Sequence, residues 1–386
     1  MKPIYRKLFN MLFILATLAF VVIFAFSNSE MTDAWQALRS MDTGWLLAAL
    51  GCWFCYLFFD SLALHYFLKK QNNPLTLWRS IYISMIGIYY SDITPGASGG
   101  QPMQVYYMSK RGVSVGVASS ALSIKIFCTQ LMVVLMGLLL WAFNADFVAT
   151  QLGGVRWVII LGVIINSAVI PIILLLALYR PLVQGLVKFC VRVGAKLRMI
   201  KNPAKALVRV TTVLDTYHAS FLKLSRHPWQ ILIQLLCAGL NLLGLMGVTV
   251  CVYYALGLSG TPWYRILTVA FLLFLSSSYT PLPGASGAHE GGFMIFFAGI
   301  FASGSIGLGL LVSRFFTYYL SLLIGTVIVI AINVRSGKSK RAPTQDVVEV
   351  VETLVDGAPP DGDAENAVAE KEPEAAPRES EKLQEA

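Results

Sequence analysis

Long apolar runs recur along the 386-residue chain, each of them about 20 residues and therefore long enough to cross a bilayer as a helix. They fall at about 8–27, 45–68, 117–141, 157–179, 229–256 and 306–332. Two further regions, 80–112 and 264–302, hold only short apolar pieces on either side of a cluster of glycine and proline. The pattern predicts membrane-spanning helices with two interruptions.

Composition agrees with this pattern. The chain is 56% hydrophobic and 13% charged, with a mean hydropathy of +0.66, whereas soluble domains carry about 25% charged residues. We therefore expect an all-α polytopic membrane protein. The six cysteines lie in or beside apolar segments and are interpreted as packing residues.

The distribution of Lys and Arg orients the predicted helices, because positive loops stay in the cytoplasm. The N-terminus begins with Lys2, Arg6 and Lys7, and the last apolar run is followed by the basic stretch 335–341. The segment 180–228 holds ten Lys and Arg residues against one acid. We expect both termini and this segment to be cytoplasmic.

This orientation places the two interrupted regions differently. Region 80–112 has basic residues on both flanks and is predicted to open from the cytoplasm, whereas both flanks of 264–302 are predicted to lie outside. The halves of the membrane body, about 45–179 and 229–335, are therefore predicted to be inverted repeats, each with a re-entrant or broken helix.

Both interruptions contain the same five residues, Pro-Gly-Ala-Ser-Gly, at 95–99 and again at 283–287. In each half a long helix follows and carries one cation. Lys125 lies 30 residues after the motif proline of the first half, and Arg314 lies 31 after that of the second. One such motif is a weak signal, but its recurrence in matched surroundings supports two halves with one plan.

Glycine-rich breaks in membrane helices leave backbone N–H groups that must be buried in protein or face a watery cavity. Amides arranged in this way favour anions, and phosphate in particular. The residues predicted to surround such a ligand are Gly96, Ser98, Gly99, Gly284, Ser286 and Gly287. Paired breaks in inverted halves also indicate a site near the bilayer midplane with alternating access.

A charge at the centre of a membrane helix costs about 2.5–3.5 kcal/mol on insertion scales, so Lys125 and Arg314 need a stabilising partner. One candidate is a phosphate in transit. The other is an internal ion pair, for which Asp60, Asp92 and Glu290 are available. Glu290 is predicted either to receive an ammonium group or to neutralise one of these cations.

The remaining polar features are assigned more simply. His289, beside Glu290, is either a proton relay or a loop hydrogen-bonding residue, and no His, Cys or carboxylate spacing indicates a metal or cofactor.

Within 180–228, apolar residues repeat at helical spacing from Leu207 to Leu224, which predicts an amphipathic helix on the inner leaflet. Anionic lipid, not nucleic acid, is the expected partner. Residues 336–386 are expected to form an acidic, disordered cytoplasmic tail.

On its two PGASG segments, the chain resembles the flippase-like membrane domain of the lysylphosphatidylglycerol synthase family, the membrane part of the multiple peptide resistance factor. The resemblance covers about 1–335. It implies a multi-helix domain in the bacterial cell membrane that moves aminoacylated or other anionic phospholipid between leaflets, which lowers sensitivity to cationic peptides.

The full-length factor continues into a soluble acyltransferase domain, which the 51 residues after 335 are not expected to provide. We therefore expect lipid transport and no enzymatic activity, although a lysyltransferase name can travel with the family. The alternatives are a transporter of another phosphate-bearing lipid carrier or soluble anion, a membrane component of phosphatidylglycerol lysyltransfer, and a non-transporting scaffold. A separate synthase or self-association remains open as a partner.

Overall fold

A computed structural model of the chain describes residues 36, 38–72, 75–179, 203–302 and 304–335, together with positions 181, 183, 185 and 189. The predicted first helix at 8–27, most of the basic segment before 203 and the predicted tail at 336–386 lie outside the described residues. Within them the regular structure is helical throughout. An all-α fold is confirmed.

The helices follow one another closely along the chain. They are α1 Thr43–Lys70, α2 Leu77–Ile93, α3 Gly100–Ser109, α4 Val115–Phe143, α5 Ala145–Leu152, α6 Arg156–Leu178, α7 Pro203–Ser225, α8 Pro228–Ala255, α9 Trp263–Ser277, α10 Ala288–Phe296, α11 Ile306–Arg314 and α12 Leu320–Arg335. Short 3-10 turns occur at Pro95–Ala97, Gly153–Val155 and Pro283–Ala285, and a π-helical turn at Phe315–Tyr319 joins α11 to α12.

Five stretches in the described part of the chain are long and apolar enough to cross a membrane: Thr43–Lys70, Val115–Phe143, Ala145–Leu175, Pro228–Ala255 and Ile306–Ile332. Each corresponds to an apolar run in the sequence. Large apolar side chains on these helices point outward, among them Trp157, Leu161 and Ile164 on α6. Such a surface suits lipid, and the protein is a multi-pass membrane protein.

The two glycine and proline clusters interrupt helices as predicted. α2 has 17 residues and α9 has 15, which is shorter than the roughly 20 residues that a spanning helix needs. Each ends at a turn and is followed by a second short helix, α3 or α10. The two broken regions are buried in different hydrophobic cores: Ile86 and Met103 are fully buried in one, and Phe271 and Phe297 in the other.

Helices α1 and α8, which begin the two predicted halves, form the most extensive helix pair of the described structure. Two amide side chains of α8 bond backbone carbonyls of α1: Asn241 donates to Tyr56 O at 2.7 Å, and Gln234 donates to Ala63 O at 2.9 Å. Gly244 lies so close to α1 that a side chain there would meet its backbone. Small residues and buried amides of this kind hold membrane helices together.

The amphipathic pattern before α8 forms helix α7. Its Phe221 is buried in the same core as α4, and Tyr217 packs against that core. Gly116 at the start of α4 lies against Thr216. The helix is therefore confirmed and packs on protein along this face, while its position on a leaflet stays a prediction.

Candidate functional site

The two PGASG segments adopt the same unusual backbone. Gly96 has φ 60° and ψ 26°, and Gly284 has φ 59° and ψ 22°. The alanines that follow also have positive φ, 54° at Ala97 and 52° at Ala285. Left-handed backbone is rare for residues other than glycine. The shared conformation supports a common plan for the two segments.

The two segments diverge after the alanine. Ser98 continues with helical angles, is exposed, and donates its hydroxyl to Pro95 O at 3.0 Å. Ser286 is extended and buried, and its Oγ has no hydrogen-bond partner. Gly287 then takes a positive φ of 87°, whereas Gly99 stays helical and donates its N–H to a threonine hydroxyl.

The 3-10 turns of the two segments pack against each other and border one cavity of about 390 Å³. The cavity lies where helices from both halves meet, with residues of α1, α2, α4, α8 and α9 in its wall. Seven of the twelve candidate site residues identified from the sequence line this cavity. These are Asp60, Asp92, Gly96, Lys125, Gly284, His289 and Arg314.

Arg314 is held at the cavity by the second segment. Its Nε donates to Glu290 Oε1 at 2.7 Å, its Nη2 lies 2.5 Å from the same oxygen, and Nη2 also donates to Gly284 O at 3.0 Å. The other oxygen of Glu290 accepts the backbone N–H of Gly287 at 2.5 Å, as expected for a glutamate in the third position of a helix. Both side chains are buried.

Lys125 forms the corresponding pair in the first half. Its Nζ lies 2.8 Å from Asp60 Oδ2, and the side chains are 15% and 16% exposed, compared with 6% and 4% for Arg314 and Glu290. The acid comes from α1 and not from the segment next to the first turn. The two cations thus have internal partners, which was one of the two alternatives read from the sequence.

The other predicted residues do not line the cavity. The lining does not include Ser98, Gly99, Ser286, Gly287 and Glu290, which shape the turns or hold Arg314. Both carboxylate oxygens of Glu290 already accept hydrogen bonds, Oε1 from Arg314 and Oε2 from the N–H of Gly287. The ammonium role of Glu290 stays a prediction.

Tyr318 is a site residue that sequence reasoning missed. Its ring lies 5.1 Å from the guanidinium carbon of Arg314 and against Gly284, and its hydroxyl donates to Asp92 O at 3.3 Å. It therefore joins the two halves at the cavity. The available signal was its position four residues after Arg314, on the same helical face.

The π-helical turn Phe315–Tyr319 starts directly after Arg314. Such turns occur mostly as single insertions and are frequent at functional sites.

Gln130 adds a polar group to the cavity wall. Its side-chain oxygen accepts a hydrogen bond from the Tyr279 hydroxyl at 3.1 Å, and its side-chain nitrogen donates to Asn166 Oδ1 at 2.7 Å. In the described ranges no three His, Cys, Asp or Glu side chains gather as a metal site would require.

These features define a multi-pass helical membrane protein with two broken-helix segments around one charged cavity. Comparison with protein families gives the finer assignment. The family "Lysylphosphatidylglycerol synthase TM region" matches residues 11–325, so the chain belongs to this family.

One curated relative is a UPF0104 membrane protein of Archaeoglobus fulgidus, 30% identical over 102 residues. The matched part is 25% of this chain and 29% of the length of that protein. No solved structure matches the chain.

Proposed function

We propose that the protein moves phospholipid headgroups between the leaflets of a bacterial cell membrane. One observation carries this proposal: the PGASG turns of two separate halves meet at a single cavity that also holds Lys125 and Arg314. Charges and broken helices inside a membrane protein are costly and typically mark a substrate path.

The phosphate of the headgroup is the group that the cations would bind. Arginine presents a planar fork of N–H donors that suits phosphate, and lysine acts as a point charge. In the resting protein Glu290 and Asp60 occupy these donors. A phosphate that arrives in the cavity would bind the two cations together with these carboxylates or in their place, so that each cation keeps an anionic partner throughout.

The size of the cavity supports a headgroup as the bound portion. About 390 Å³ falls at the lower end of the range for small-molecule sites, roughly 300–1,000 Å³. We propose that the polar headgroup occupies the cavity while the acyl chains remain in the bilayer. The family description favours aminoacylated phosphatidylglycerol as the lipid.

The test is lipid movement in vesicles reconstituted with the purified protein. Fluorescent phosphatidylglycerol is placed in both leaflets, and an impermeant reductant bleaches the outer pool. The wild-type protein should expose the inner pool to bleaching. The double variant R314Q/E290Q, which removes both charges of one pair and leaves no charge unpaired, should reduce this rate by at least tenfold.

Arg156 provides the matched control, because it is an exposed cation at the start of α6, away from the cavity. R156Q should move lipid at the wild-type rate. Equal rates in wild-type, R314Q/E290Q and protein-free vesicles would refute lipid movement. Uptake of free glycerol phosphate without lipid movement would assign the cavity to a soluble anion instead.

A further inference from the structure

The charges around the cavity do not balance. Among the described residues at the site, two cations face three carboxyl groups. Lys125 is paired with Asp60, and Arg314 is paired with Glu290. Asp92 is the acid left over, so the site carries one negative charge when its three acids and two cations are ionised and His289 is neutral.

Asp92 lies in the last turn of α2, directly before the first turn, and lines the cavity. Its Oδ2 is shielded from solvent and has no hydrogen-bond partner. Its backbone carbonyl accepts the Tyr318 hydroxyl, and this bond does not involve the carboxyl group. The residue is half-buried and faces the cavity, but a carboxylate oxygen shielded from water without a partner is costly, and this cost favours uptake of a proton.

The charged and titratable groups around Asp92 offer no free cation. Arg314 is directed to Glu290 and Gly284 O, and Lys125 to Asp60. The charged and titratable groups that line the cavity with Asp92 are Tyr56 and Asp60 of α1, Lys125 of α4, His289 of α10, Arg314 of α11 and Tyr318 of the π turn. Glu290 of α10 lies against Arg314 outside this lining.

We propose that Asp92 is a proton-binding site and that the exchange of its proton is coupled to the passage of the headgroup. The coupling half of this inference rests on the proposed function. With Asp92 protonated the site is neutral, and an anionic phosphate meets no uncompensated negative charge. With Asp92 ionised the site repels the phosphate, and the loss of the proton therefore favours release.

The proton site is tested without any transport. Infrared difference spectra of the protein in lipid membranes are recorded while the pH is changed. Because all 21 Asp and Glu residues contribute to these spectra, the readout is the component that a variant removes. The wild-type protein should show a titrating C=O component that D92N lacks and whose midpoint differs from that of the exposed acids. D146N, which removes an exposed carboxylate on α5 outside the cavity, should keep this component. Difference spectra of D92N and the wild type that coincide at every pH overturn the proposal.

Coupling is tested in the vesicles described above. A pH gradient across the vesicle wall should change the rate of phosphatidylglycerol movement by the wild-type protein severalfold and should reverse its effect when the gradient is reversed. D92N and D92S should move lipid at a rate that does not respond to the gradient. The wild-type arm gives a result even if a variant fails to fold.

The possible outcomes separate the two proposals. Lipid movement by the wild type that ignores the gradient overturns the coupling and leaves the proposed function intact. No lipid movement at any pH refutes the proposed function, while the infrared band still decides the proton site. If D92N changes the preference between phosphatidylglycerol and its lysyl ester and its infrared difference spectra match those of the wild type, Asp92 binds the lipid amine and the proton site is refuted.

Discussion

At the scale of single residues, the two ion pairs of the cavity differ in how far they are buried. Arg314 and Glu290 are almost without exposure, and Lys125 and Asp60 retain about three times as much. Loss of one member of a buried pair leaves its partner charged in a poorly solvated place, which costs about 3–5 kcal/mol. Exposed pairs contribute about 0–1 kcal/mol.

Glu290→Ala should therefore destabilise the protein more than Asp60→Ala does. We expect a loss of about 3–5 kcal/mol for the first, seen as a lower thermal midpoint of the protein in detergent, and a smaller loss for the second. R314Q/E290Q should recover most of the midpoint. A double variant as unstable as E290A would show that charge is not the cause.

The left-handed glycines of the two turns should also differ in their tolerance. Gly96 and Gly284 share the same φ, so alanine at either position pays a strain of about 1–2 kcal/mol. A Cβ at Gly96 meets open space, but one at Gly284 collides with the ring of Tyr318. G284A should lower the thermal midpoint further than G96A and should slow lipid movement more. Equal effects of G284A and G96A on the thermal midpoint and on lipid movement would mean that the Tyr318 ring moves aside at little energetic cost.

The sequence was informative about which residues meet at the site and less so about their pairing. The repeated motif and the isolated cations lead to the cavity, because a membrane interior tolerates such groups only together. The choice of Asp60 for Lys125 depends on how α1 crosses α4, and no local pattern specifies that crossing. Tyr318 was missed because aromatic residues are also ordinary packing residues in membrane helices.

At the scale of the helices, the contact between α1 and α8 depends on one small residue. Gly244→Ala should destabilise the protein, because the added Cβ would lie 2.7 Å from backbone atoms of α1. Gly51→Ala is the matched control, since that glycine lies on the exposed side of α1 with nothing near it. It should leave the thermal midpoint unchanged or raise it, as alanine favours helix by about 0.5–1 kcal/mol. The same fall in both variants would contradict a role for the contact.

Hydrophobic run length predicted the spanning helices because each must bury its backbone polar groups across the same bilayer thickness. The same reasoning located both interruptions, 80–112 and 264–302. It did not predict α5, a short helix within the loop 144–156, or the π turn Phe315–Tyr319. Neither feature changes the length or polarity of its segment, so neither leaves a mark on the hydrophobic pattern.

At the scale of the whole molecule, the orientation in the membrane follows from the loop charges and stays a prediction. Single cysteines at two exposed positions test it, in a background in which the six native cysteines are replaced. Asn72→Cys follows the basic end of α1 and should react with an impermeant thiol reagent only from the cytoplasmic side. Ser259→Cys lies beyond the far end of α8 and should react only from outside. Labelling of both from one side would refute the predicted arrangement.

The pairing of α1 with α8 has a consequence for how access to the cavity could alternate. Asn241 and Gln234 of α8 donate side-chain hydrogen bonds to backbone carbonyls of α1, and the absence of a side chain at Gly244 lets the two backbones pack closely. Separating α1 from α8 would leave the side-chain amides of Asn241 and Gln234 without these acceptors, so we expect the two helices to move as one rigid unit. A movement that opens one side of the cavity must therefore come from the shorter helices next to the turns. Spin labels on α1 and α8 should keep a constant separation, whereas spin labels on the two turns should not.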